Sequence, residues 1–191
     1  MGERYPSDDK ITKWAMAAGS GDKAAAAAFI RATQRDVWRF LGHLAGVAEA
    51  DDLTQETYLR ALTGLHRFAG QSSARTWLLS IARRVSVDHV RAISRRPQVA
   101  TGDDWEILAE HAQRNVLPGI DDTVSLNLAI QALAPERRAA FVLTQLLGLD
   151  YAEAANVCDC PIGTIRSRVA RARDDLVQAL NDGRRRRVTN E

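Results

Sequence analysis

Apolar residues recur along this chain at helical spacings of three and four, and nowhere do they alternate with polar ones over the length of a strand. The pattern predicts helices throughout, separated by recognisable stops. Asp8 or Asp9 caps a first helix to about Ala18, Gly19-Ser20-Gly21 breaks it, and Asp22 caps a long second helix to about Ala45. Ala50-Asp51 opens a third helix, which ends near Leu65. A polar loop, Gly70-Gln71-Ser72-Ser73, follows, and Ser73 caps a fourth helix from Ala74 to Ser94, about 30 Å long at 1.5 Å per residue. Pro97 ends this block of four helices.

From Gln98 to Thr123 the periodicity fades and Gly102, Pro118 and Gly119 interrupt the chain, which predicts a linker with at most a short helical piece at residues 105–111. Four further helices are expected at residues 124–133, 135–147 with Pro135 in the first turn, 151–157 capped by Asp150, and 162 to about 181. The expected fold is all-α. Two small helical domains, residues 1–97 and 124–182, are joined by a flexible acidic linker at 98–123, and a solvated basic tail with Arg184-Arg185-Arg186-Arg187 follows at 183–191.

An apolar content of 46% in 191 residues suits packed domains and excludes a disordered or collagen-like chain. No apolar run approaches the roughly 18 to 20 residues of a membrane span; the longest, residues 24–30, is mostly alanine. The first ten residues are charged, lack the apolar stretch of a signal peptide, and place Pro6 where a myristoylation motif needs Ser or Thr. A cytoplasmic protein without membrane contact is the expectation. Cys158 and Cys160, one residue apart, suit neither a disulfide framework nor, with four scattered histidines, a zinc site. Reduced thiols with a structural role, no metal and no cofactor are expected.

Charge changes this picture, because the formal net charge of +2 is unevenly spread. Residues 1–97 hold 15 basic and 10 acidic side chains, residues 98–123 one and six, and residues 124–191 ten and eight. Two basic blocks flank an acidic connector. Such a chain either holds one polyanion at two places or merely sums unrelated solvated faces.

Residues 150–173 read as a short helix, a Pro-containing turn and a second helix, the arrangement in which the second helix enters the major groove of DNA. Ile165, Val169, Ala172, Leu176 and Leu180 fall within about 80° of one another on a helical wheel and form a buried stripe. Thr164, Ser167 and Arg171 point the opposite way, flanked by Arg166 and Arg168. Arginine donates two hydrogen bonds to guanine or binds phosphate, and Ser and Thr serve either contact. A basic amphipathic helix on an ordinary surface is the plainer reading.

In the first block, Asp51-Asp52-Leu53-Thr54-Gln55-Glu56 places carboxylates near a helix N-terminus, where they favour the dipole or, in an enzyme, bind metal. No second group of carboxylates or histidines completes a metal site. This segment, the stretch Thr76-Trp-Leu-Leu-Ser-Ile-Ala-Arg83 and Gly163-Thr-Ile-Arg-Ser-Arg-Val-Ala-Arg-Ala-Arg173, in that order with a linker between, resemble the extracytoplasmic-function (ECF, group 4) sigma factors of bacterial RNA polymerase. The resemblance covers about residues 10–182 and implies a sigma-2 domain, a linker and a sigma-4 domain, with no sigma-1.1 or sigma-3 domain.

The resemblance also implies roles. Asp51, Asp52, Leu53, Gln55, Glu56 and Leu59 would contact core RNA polymerase at the β′ coiled coil, with the β subunit also a partner, and the acids would meet basic side chains. The loop Phe68, Gly70, Gln71, Ser72, Ser73 would form much of a pocket for a base flipped from the promoter's −10 element. Trp77 would sit at its rim or in the domain core. Arg84, Arg91 and Arg95, with Asp88 between them, would track phosphates or form a solvated stripe with internal ion pairs. Arg166, Ser167 and Arg171 would read the −35 element, with Thr164 and Arg168 on phosphates. The linker would run through the polymerase's basic cleft and exit channel. This chain departs from the family at Arg84, where many members carry Asn, and at Ala170, where some carry a bulky side chain. The family commonly has an anti-sigma factor over its polymerase-binding faces. Set against a promoter-specificity subunit that is not an enzyme stand a free-standing helix-turn-helix repressor or activator, and a divalent-ion nuclease using Asp51, Asp52 and Glu56.

Overall fold

The computed structural model describes residues 6–95 and 121–189, and among these every regular element is helical. Residues 98–120 of the acidic stretch, with the helical piece expected at 105–111, lie outside the described residues, and its last three residues open the helix expected from 124. The first block holds α1 (Asp8–Gly19), α2 (Lys23–Ala45), α3 (Val47–Gly64), a 3-10 turn at Leu65–Arg67 and α4 (Ala74–Arg95). The second holds α5 (Asp121–Ala132), α6 (Pro135–Phe141), a wide turn at Val142–Leu146, α7 (Tyr151–Cys158) and α8 (Ile162–Thr189).

Most boundaries follow from local chemistry, and the departures have local causes. Asp22 caps α2 by accepting from the amides of Ala24 and Ala25 at 2.8 and 3.0 Å. Ser7, rather than Asp8 or Asp9, caps α1 by accepting from the Lys10 amide. The third helix starts at Val47, three residues before the Ala50 expectation. Gly46, at φ 101°, turns the chain so sharply that α3 begins at once without a side-chain cap. The helix expected at 135–147 keeps α geometry to Phe141 and continues as a π-helix over Val142–Leu146. The Thr144 hydroxyl takes the Ala140 carbonyl at 2.8 Å, the amide of Leu147 reaches back to Val142, and Gly148 at φ +72° closes the turn. Helix α8 runs to Thr189, through the segment expected as a solvated tail.

Helix α2 is the axis of the first block, with Phe29, Val37, Phe40 and Leu41 buried against α1, α3 and α4. Leu78, Leu79, Ala82 and Val85 of α4 close the same core. In the second block Ile165, Val169, Ala172 and Leu176 seat α8 on Ala139, Ala140, Val142, Leu143 and Val157. Leu180 is only half-buried.

The two blocks touch, with α7 against α4 and α6 against α2. Arg75 of α4 donates to Asp36 of α2 at 2.8 Å and to the Leu147 carbonyl at 2.6 Å. Glu153 completes the capping box of α7 with Asp150 and also accepts from the Thr76 hydroxyl at 3.3 Å. Arg138 donates to the carbonyls of Gln131 and Leu133 near the end of α5, and to that of His43 in the last turn of α2. Burial and the neighbouring Arg39 and Arg138 charges push the His43 imidazole below its ordinary pKa.

Candidate functional site

Three surfaces collect the residues singled out by sequence. On α3, Asp51, Asp52, Gln55 and Leu59 are exposed, and Glu56 is half-buried. Leu53 does not belong with them. At 7% exposure it is a core residue, since it falls on the α2-and-α4 side of the helix. Two partnerships here were not visible in the sequence. The indole N–H of Trp38 on α2 donates to Asp51 at 2.8 Å, and Arg60 bridges Glu56 at 2.6 Å and Asp88 at 2.9 Å. A shallow hollow bounded by Leu59, Arg60, Thr63, Gly64, His66 and Arg67 opens at the far end of this face.

The second surface is the loop before α4. Ser73 caps the helix by accepting from the Thr76 amide at 3.1 Å, while the Ala74 amide is taken by the Thr12 hydroxyl at 3.0 Å. Gly70 stands at φ +69°, a left-handed conformation a glycine adopts freely, beside Met16. Gln71 is exposed, and Phe68, Ser72 and Ser73 are half-buried. Trp77 is half-buried and packs against the core. Its ring lies 5.0 Å from that of Phe68 at 41°, and its other edge packs over Gly64, yet it keeps a partly open side.

Further along α4, Arg84, Arg91 and Arg95 are exposed and carry no ion pair among the described residues. Asp88, the acid between them that one of the two readings pairs within the stripe, turns to Arg60 of α3. The stripe is thereby left more positive than the sequence spacing implies.

The third surface is the start of α8. Arg166, Ser167 and Arg171 are exposed, and Thr164 and Arg168 are half-buried. Packing between the two blocks leaves this face open. The Ser167 hydroxyl donates to the Thr164 carbonyl at 2.9 Å, and an Arg168 nitrogen approaches the Cys160 sulfur at 3.5 Å. Asp159, at φ 50°, makes the tight turn between α7 and α8. Burial pushes the Cys158 thiol up to about 11, which keeps it protonated and inert at neutral pH. Among the described residues no three His, Cys, Asp or Glu side chains converge on a metal-sized site, and no helix is long and apolar enough to cross a membrane.

Two family models match this chain, Sigma-70 region 2 over residues 29–96 and Sigma-70 region 4 over residues 123–176. The chain is 51% identical over 173 residues to the "ECF RNA polymerase sigma factor SigC" of Mycobacterium tuberculosis, covering 89% of this chain and 91% of the relative. A sigma factor RpoE of Bartonella quintana, solved with the anti-sigma factor NepR, is similar at a TM-score of 0.63 and 26% identity, covering 80% of this chain and 94% of that one. CnrH, solved with the cytosolic domain of CnrY, shares the fold at a TM-score of 0.68 and 21% identity, covering 92% of this chain and 99% of that one.

Proposed function

The chain belongs to the extracytoplasmic-function RNA polymerase sigma factors of the sigma-70 family, and we propose that its three surfaces divide the work of promoter-specific initiation between docking, −10 capture and −35 reading. It binds core RNA polymerase and promoter DNA and directs where transcription begins. Residues 1–97 form the sigma-2 domain, 98–123 the linker, 124–182 the sigma-4 domain and 183–191 a basic tail. The exposed acids Asp51 and Asp52, with Gln55, Glu56 and Leu59, dock on the β′ coiled coil, while Leu53 supports them from within.

The loop Phe68, Gly70, Gln71, Ser72, Ser73 takes an unpaired −10 base against the half-open Trp77 ring. Arg84, Arg91 and Arg95 hold the phosphates beside it. Arg166, Ser167 and Arg171 read the −35 duplex in the major groove, with Thr164 and Arg168 on its backbone. The protein works in the cytoplasm and catalyses nothing itself. The similar sigma factor RpoE, solved with the anti-sigma factor NepR, supports a protein partner of that kind.

The observation that carries this reading is the pairing, on one chain, of an exposed acidic helix face with an open helix-turn-helix arginine face. Run-off transcription with purified core polymerase tests it: specific transcripts are expected only when the protein is added. Tight duplex binding by the protein alone, without transcripts, would instead mark a repressor.

Two substitutions separate the roles. Arg171→Ala is expected to weaken −35 recognition by about 1 to 3 kcal/mol while core binding persists. Gel-shift titration of holoenzyme on intact and −35-scrambled promoters checks it, and equal affinity of the unmutated protein for both would remove the assignment. Asp52→Arg reverses an exposed charge and is expected to cost about 2 kcal/mol in core binding with the fold unchanged. Co-purification with core enzyme at wild-type yield would remove the docking claim.

A further inference from the structure

The last turn of α2 is one of the places where polar bonds join the two blocks. A helix ends in carbonyls that have no partner within it, and that end favours a positive charge. Here the charge comes from across the joint. Arg138 of α6 donates to the His43 carbonyl at 3.3 Å, and Gln131 of α5 donates to the neighbouring Gly42 carbonyl at 3.3 Å. On its own side Arg138 is held by the carbonyls of Gln131 and Leu133 and by the Gln131 side chain. No carboxylate pairs with it among the described residues, so carbonyl and amide dipoles alone answer its charge.

Helix α2 carries its own cation for the same terminus. His43, half-buried in that turn, gains a positive charge on protonation, and Arg39 stands one turn before it on the same face. In the joined arrangement the imidazole meets burial and two guanidiniums, Arg39 from α2 and Arg138 from α6, with no acid in ion-pair reach among the described residues, and its pKa is lowered. Separation of the blocks removes Arg138 and the burial, and leaves the helix end to favour an imidazolium. Two cations therefore compete for one helix terminus, and only His43 depends on pH.

We propose that the end of α2 is an acid-sensitive joint between the two blocks, closed by Arg138 at neutral pH and loosened when His43 takes up a proton. The joined form binds fewer protons at His43 than the separated form, so its contribution is complete above the ordinary histidine pKa of about 6.5 and is lost as the pH falls through the lowered value. This device is independent of which residues dock on polymerase or read DNA. The other polar contact between the blocks, Arg75 with the Leu147 carbonyl and Thr76 with Glu153, contains no histidine.

Small-angle X-ray scattering of the full chain at about pH 7.5 and about pH 5.5 tests this, with circular dichroism recording helix content at both. A compact body of 191 residues has a radius of gyration of about 16 Å, and the wild type is expected to expand by at least about 3 Å at the lower pH with its helix content unchanged. His43→Gln, which takes up no proton, is expected to keep one radius at both pH values. His43→Arg, charged throughout, is expected to be expanded at both. An unchanged wild-type radius in acid, an expansion of His43→Gln equal to that of the wild type, or a His43→Arg chain as compact as the wild type at neutral pH would each overturn the joint. So would an expansion that comes only with loss of helix, since that is unfolding rather than separation of the blocks.

Discussion

Replacing Arg75 by alanine is expected to destabilise the protein by about 3 to 5 kcal/mol, the cost of withdrawing one partner from a buried ion pair. The guanidinium and the Asp36 carboxylate it grips are only 12% and 11% exposed, so water cannot simply take its place. The same side chain donates to the Leu147 carbonyl at 2.6 Å, so its loss also removes a bond between the two blocks. Arg75→Lys should fall between, since an ammonium keeps the charge but not the two-pronged geometry. A local consequence accompanies the global one. Burial raises the Asp8 carboxyl above its ordinary pKa and the nearby Arg75 charge holds it down, so Asp8 should titrate higher still in Arg75→Ala. Urea unfolding of the full chain measures the main effect, and a loss under about 1 kcal/mol would mean that solvent reaches Asp36 after all.

Phe40→Ala is expected to cost a similar about 3 to 5 kcal/mol, by a different mechanism. Phe40 is fully buried on α2, the helix against which α1, α3, α4 and α6 all pack, so the vacated volume is walled on several sides and collapses poorly. Because α2 packs against α3, which carries the acids proposed to dock on core polymerase, core-polymerase binding should fall at temperatures where the wild type is still folded. Phe40→Leu, which fills most of the space, should recover more than half of the loss. Equal melting midpoints for Phe40→Ala and the wild type would show that the side chain is not the keystone its burial implies.

Helix content, most caps and the buried stripe of the last helix were legible in the sequence because each depends on residues within one or two turns. Asp22, Ser73 and Asp150 cap the helices expected of them, and the stripe from Ile165 to Leu176 is buried as its spacing predicts. The short-range failures have the same local character. A hydroxyl at Thr144 accompanies the widening of α6 into a π-helix, and glycine at 46 starts α3 early, both being competitions between close neighbours whose balance a pattern of apolar positions does not weigh.

Long-range partnerships were beyond the sequence. Asp88 reads as a member of its own helix's charge stripe but bonds Arg60, 28 residues earlier, and Asp51 reads as a free docking acid but holds Trp38, 13 residues earlier. Leu53 stands inside an acidic motif yet points into the core. Sequence alone thus determined that this is an all-α protein of the sigma-70 family, because family motifs and helical periodicity are written along the chain. Which side chains are left free to meet a partner was decided only by tertiary structure: it depends on the relative rotation of packed helices, and that is set by how all of their buried faces fit together.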